Sequence, residues 1–150
     1  MPRLLTAVFL ALAASWIASG QTYTISTFAG GGLPVNAPGT SASLYGPNGV
    51  AVDKAGNVFF PDGNTVLRLD AATGVLSLVA GNGTVGFSGD NGLATSAQLD
   101  GPTGVAVDSA GNVYFADGGK NRIRRVSGGV ITTVAGSGPA GFSGDSGSCH

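Results

Sequence analysis

The stretch from Gly46 to Asp90, GPNGVAVDKAGNVFFPDGNTVLRLDAATGVLSLVAGNGTVGFSGD, is written a second time. It returns from Gly101 to Asp145 as GPTGVAVDSAGNVYFADGGKNRIRRVSGGVITTVAGSGPAGFSGD, with an offset of 55 residues at both ends. Between these anchors one turn grows by two residues and a later one shrinks by two. A repeat this long makes each copy one supersecondary unit, which buries its faces only against a neighbouring copy.

Within a copy the pattern is that of strands. Gly49 to Asp53 (GVAVD) and Asn57 to Phe60 (NVFF) are β-branched and aromatic runs separated by a turn ending in Gly56. That spacing predicts a hairpin. Asp62-Gly63-Asn64 and Ala71 to Gly74 are the next turns, bounding strands at Thr65 to Leu69 and Val75 to Ala80. The second copy predicts strands at Gly104 to Asp108, Asn112 to Ala116, Arg122 to Val126 and Val130 to Ala135. Each copy is therefore a four-stranded antiparallel meander, and the fold class is all-β. The apolar first strand is expected to be buried on both faces. The third, carrying Arg68 or Arg122, Arg124 and Arg125, is expected to lie further out. Tyr23 to Phe28 (YTISTF) matches the fourth strand and predicts one extra strand ahead of the first copy. The connection from Gly81 to Gly101 is long, with a helix-compatible patch at Ala94 to Leu99 that recurs as TSASL at Thr40 to Leu44.

The chain's start has a different character. Arg3, an apolar run from Leu4 to Ile17, and the small residues Ala18-Ser19-Gly20 form the order of a secretory signal peptide. Residues 1–20 are assigned to it, with Gln21 beginning the mature chain, and no membrane span is expected after cleavage. The expected compartment is secreted or periplasmic. A formal net charge of −1 gives no electrostatic footprint for nucleic acid. All eight acids are Asp, and 27 glycines favour short strands and tight turns. The one cysteine, Cys149, permits no internal disulfide.

Gly46 to Asp53, Gly56 to Phe60 and Asp62, with Gly101 to Asp108, Gly111 to Phe115 and Asp117, resemble the NHL-repeat family of β-propellers. The tripeptide that names the family falls at Asn64-Thr65-Val66 and Asn121-Arg122-Ile123, where only the asparagine and the apolar third position are kept. The long period, with GFSGD before TSAQL, looks like the extended repeats of exported bacterial proteins. The resemblance implies that residues 21–150 are part of a six-bladed propeller, with blades at about 46–80 and 101–135. It implies an N-terminal fragment that continues in further blades. NHL-like amidating lyases use histidine-held zinc, and lactonase-like propellers use a calcium site containing Glu. With no Glu and only His150, neither site carries over to any residue here.

Three motifs invite chemical readings. GDSG at Gly144 to Gly147 is spelled like a serine-protease nucleophile, but it lies in the repeat and lacks an upstream histidine. GxGxxG at Gly81 to Gly86 and Gly136 to Gly141 follows strands, but no helix opens there, so these are turn glycines. Asp90 and Asp145 read as caps of their own loop or of the short helix after it; one carboxylate per loop is too few for calcium unless other blades converge. Asp53, Asp62, Asp108 and Asp117 read as turn caps, and Arg122, Arg124 and Arg125 as a solvated strand face.

The function expected is a non-catalytic binding or scaffold module for protein or glycan, with no catalytic residue, metal site or cofactor. The alternative is a piece of a propeller lyase or hydrolase whose catalytic residues lie in other blades. The candidate binding-loop residues are Phe87, Ser88 and Asp90, with their repeats Phe142, Ser143 and Asp145. Self-association is expected through blade faces bearing Val58, Phe60, Val113 and Phe115.

Overall fold

The computed structural model describes residues 33–140. The expected signal peptide, the expected strand at Tyr23 to Phe28, and Phe142, Ser143 and Asp145 lie outside the described residues. Within them the chain forms two four-stranded antiparallel meanders, each with its strands in sequence order. The first holds β1 (Ala51–Val52), β2 (Val58–Asp62), β3 (Thr65–Leu69) and β4 (Leu76–Ala80). The second holds β5 (Pro102–Val107), β6 (Val113–Asp117), β7 (Arg122–Ser127) and β8 (Val130–Ala135). These are two propeller blades. Short 3₁₀ turns sit at Gly39–Ser41 and Ala94–Ser96, the second inside the patch expected to be helix-compatible. Among the described residues no helix is long and apolar enough to cross a membrane.

The hairpin between the first two strands follows from its sequence. Asp53 Oδ1 accepts from the backbone N–H of Ala55 and of Asn57, and Asp53 Oδ2 accepts from the Asn57 amide at 2.7 Å. Gly56 supplies the positive φ of 85° that closes the turn. Asp108, Ala110 and Asn112 repeat the same three bonds. These two aspartates are the turn caps expected of them.

A bulge falls at equivalent places in both blades, between Val66 and Leu67 and between Ile123 and Arg124. Leu67 pairs with Phe60, and Arg124 with Phe115, which has the same place in its blade as Phe60. Once the two-residue turn insertion is allowed for, Arg124 stands where the first blade has Leu67.

The core lies between the sheets. Phe59, Val66 and Ala80 of the first sheet meet Val113, Phe115, Val126 and Ile131 of the second. Ala94, Ala97 and Leu99 of the connecting segment complete it. Val113 and Phe115 are thus buried between blades and do not lie on an open face. Equivalent strand positions in successive blades point the same way, so the first blade covers that face of the second.

Two burial expectations are overturned. The first strand is not buried on both faces: Val50 is exposed to 64% and Val52 to 60%. Their equivalents Val105 and Val107 are partly buried, because the first sheet packs on that side. Among the described residues no sheet covers Val50 and Val52. The third strands lie further out in strand order, as expected, but they are not the wetter ones. Val66 and Leu67 are fully buried, and so is Arg124. Polarity was a poor guide to exposure because Arg124 has buried partners, described next.

Candidate functional site: a clasp between blades

The GFSGD loop leaves the first blade and folds against β7 of the second. The Arg124 guanidinium, with no exposed surface, holds it there. Nη2 donates to Asp90 Oδ1 at 3.0 Å and to the Ser88 carbonyl at 3.1 Å. Nη1 donates to Asp117 Oδ2 at 3.3 Å. The Phe87 ring lies 3.8 Å from the Arg122 guanidinium carbon and 4.8 Å from that of Arg124. Such stacking adds to the ion pairs, since the ring face is electron-rich. Three residues expected to line a binding loop, Phe87, Ser88 and Asp90, therefore converge on two arginines of the next blade.

Asp90 caps neither its loop nor the following turn: the 3₁₀ turn at Ala94–Ser96 has Leu93 at its N-cap position and no side-chain cap. A fixed cation 34 residues away in sequence is its partner. The solvated-face reading of the arginines fails at Arg124 for the same reason.

Asp62 and Asp117 also differ from the turn caps expected. Asp62 Oδ1 accepts from the backbone N–H of Tyr45 at 2.6 Å and of Gly46 at 2.9 Å. Asp117 Oδ1 accepts from the Asp100 N–H at 2.8 Å. Each aspartate anchors the segment entering its own blade's first strand. Asp117 is fully buried, and burial raises its pKa above the ordinary carboxylate value although its hydrogen bonds and Arg124 pull the other way.

The GxGxxG glycines are turn residues, as expected. Gly81 has a φ of 89° and Gly136 a φ of 87°. A Cβ on Gly81 would collide with the Asn64 carbonyl, and one on Gly136 with the Asn121 carbonyl. No dinucleotide geometry is built here.

Sequence reasoning missed Arg124 and Asp117 as one buried cluster. A signal was present in the repeat. Asn36 and Asn91 make the same backbone bonds, to Leu76 and to Ile131, so Val35 occupies the place of Asp90. In the first copy Val35 and Leu67 stand at the two positions where the second has Asp90 and Arg124. An apolar pair in one repeat is exchanged for an ionic pair in the next.

The architecture is that of consecutive propeller blades, and the comparisons agree. A family model described as the Teneurin NHL domain matches residues 82–149. Teneurin-3 of Danio rerio is 40% identical over 97 residues, a match covering 55% of this chain and 4% of that protein. Teneurin-4 of Mus musculus is 37% identical over 98 residues, with the same coverage of 55% and 4%. A solved protein of unknown function from Bacteroides thetaiotaomicron superposes with a TM-score of 0.50 at 28% identity. That superposition covers 61% of this chain and 22% of the other. Family model, relatives and fold together support a place for these blades in the NHL-repeat family. It spans only a few per cent of the curated relatives it matches.

Proposed function

We propose that the chain supplies blades of an exported NHL-repeat propeller that acts as a non-catalytic binding or scaffold module for protein or glycan. The observation that carries this reading is the clasp. The most concentrated charge among the described residues is Arg124 with Asp90 and Asp117: the guanidinium and Asp117 are buried between blades, and both Nη atoms are paired to architectural groups. The recurrent loop joins blades instead of presenting chemistry to solvent. The match to a propeller domain carried inside far longer relatives supports a module. The order of Arg3, apolar run and Ala18-Ser19-Gly20 supports export, and the 55-residue period supports the extended bacterial type of repeat.

The test pairs equilibrium binding with product analysis. The chain is titrated against a panel of glycans and peptides, and each ligand that binds is recovered and weighed by mass spectrometry. Saturable binding with the ligand recovered unchanged is expected. Ligand conversion proportional to protein concentration would contradict the non-catalytic reading. Export is tested separately: the intact mass of secreted product is expected to begin at Gln21, and retention of Met1 to Gly20 would refute it.

A further inference from the structure

Glycine follows asparagine at three places, Asn48, Asn82 and Asn91. Glycine has no Cβ to shield its own nitrogen, so that nitrogen reaches the side-chain carbonyl carbon of a preceding asparagine with little hindrance. Whether it does so in a folded chain depends on what holds the two groups.

The three places differ in this respect. At Asn91 the nucleophile is tied, because Gly92 N–H donates to the Gly89 carbonyl at 2.8 Å. At Asn48 the electrophile is unheld. Its backbone N–H donates to the Pro61 carbonyl, but its side-chain amide makes no hydrogen bond among the described residues. At Asn82 the nucleophile is free and the electrophile is held. Gly83 N–H makes no hydrogen bond among the described residues, while Asn82 Oδ1 accepts from Thr84 N–H at 2.9 Å. That bond turns the side-chain carbonyl toward the peptide that follows Asn82. It also sets a donor on the oxygen that gains negative charge when the carbon is attacked. The leaving amide is loosely held, with Nδ2 donating to the Ser96 carbonyl at 3.4 Å. Asn82, Gly83 and Thr84 are all exposed to water.

We propose that Asn82 is a site of self-modification, where the Gly83 nitrogen closes a succinimide ring on the Asn82 side chain and water opens it to isoaspartate or aspartate. The Gly83 nitrogen gives its proton to solvent base and bonds to Asn82 Cγ. The Cγ–Nδ2 bond breaks, and ammonia leaves with a proton taken from water. Water then attacks either ring carbonyl carbon and breaks its bond to the Gly83 nitrogen. The net change is amide and water to carboxylic acid and ammonia. Attack at the main-chain carbonyl gives isoaspartate, whose backbone is longer by a methylene.

The change falls where the connecting segment is tied to the end of the first blade. Gly81 N–H donates to the Ala94 carbonyl and Asn82 N–H to the Ala97 carbonyl, both at 2.9 Å. The Gly83 carbonyl accepts from Asn64 Nδ2 at 3.3 Å. A backbone lengthened between Asn82 and Gly83 does not keep all of these bonds. The second copy has Ser137 in the place of Asn82, so it lacks the reactive amide.

The test incubates the full chain at mildly alkaline pH, folded and in denaturant. Conversion at each asparagine is followed by peptide mapping with electron-transfer fragmentation, which separates isoaspartate from aspartate. In the folded chain Asn82 is expected to convert first, and Asn91 to be slowed by about tenfold or more relative to the denatured chain. Thr84→Pro removes the N–H donor and installs the residue that the second copy carries at Pro139. It is expected to slow Asn82 in the folded chain and to leave its rate in denaturant unchanged, with circular dichroism confirming that the sheet is kept. Conversion of Asn48 or Asn91 ahead of Asn82 in the folded natural chain would overturn the proposal. So would a folded Thr84→Pro variant whose Asn82 converts as fast as its parent's.

Discussion

Arg124 shows how one residue changes role between repeats without changing place. A buried guanidinium is costly unless its donors are met, and removing it strands the carboxylate it faces. Arg124→Ala is expected to destabilise the chain by about 3–5 kcal/mol in denaturant unfolding, because Asp117 is left buried without its cation. The double variant Arg124→Leu with Asp90→Val installs the residues that stand at these two places in the first repeat, Leu67 and Val35. It is expected to recover only part of that loss, since an apolar pair restores packing and removes the unpaired Asp90 while Asp117 stays buried without its cation. A double variant no more stable than Arg124→Ala would show that the two repeats are not exchangeable at this place. The carboxylates divide by the sign of their pH response. Asp53 and Asp108 have lowered pKa values, chiefly because the Asn57 and Asn112 amides donate to them. Their contribution is present above the ordinary value of 3.8 and is lost as pH falls through the lower folded values. Asp117, raised by burial, acts oppositely: stability falls as pH rises from 3.8 through its higher folded value. Unfolding midpoints across pH are therefore expected to lose acid sensitivity in Asp108→Asn. In Asp117→Asn the decline just above pH 3.8 is expected to flatten. The turn aspartates were legible because their partners lie two to four residues away. Arg124 was not, because its partner Asp90 is 34 residues off and only the three-dimensional register brings them together.

At the scale of elements, the strands were legible where side-chain alternation and turn residues agree. Thr65–Leu69 and Val130–Ala135 have the bounds the sequence predicts. The first strand is shorter than predicted, Ala51–Val52, and follows Gly49 with a φ of 86°. The Cβ it lacks would stand 3.4 Å from the Cα of Gly104, so the two first strands approach closely at their glycines. The order of burial within a blade was not legible. It depends on which face the neighbouring blade covers, and a composition of apolar residues on both faces does not say so. The blade-end glycines make a prediction at this scale. Gly81→Ala brings a Cβ onto backbone as well as forcing a methyl at positive φ, and is expected to cost about 2 kcal/mol or more. Gly74→Ala, at a φ of 67° with open space around it, is expected to cost only about 1 kcal/mol. Equal losses in thermal or denaturant unfolding would mean that the close approach of the Asn64 carbonyl is not a constraint. Leu99→Ala, at a fully buried place in the core between the sheets, is expected to cost about 2–5 kcal/mol.

At the scale of the whole molecule, the two blades are expected to unfold as one cooperative body, joined by the core between their sheets and by the clasp. Phe59, Val66 and Ala80 have no other partner sheet among the described residues, and Val113, Phe115 and Ile131 are buried against them. Neighbour contacts of this kind couple repeat units into a single transition. The repeat made two like units legible from sequence; that the loop between them is the fastener required the arrangement of Phe87, Asp90 and Arg124 in space. The most direct measurement is hydrogen exchange by mass spectrometry across a denaturant series, comparing peptides from β3 and β4 with peptides from β7 and β8. Protection is expected to be lost at one shared denaturant concentration in the natural chain, and Arg124→Ala is expected to lower it for both blades together. Loss of one blade's protection well before the other's in the natural chain, or an Arg124→Ala effect confined to β7 and β8, would contradict it.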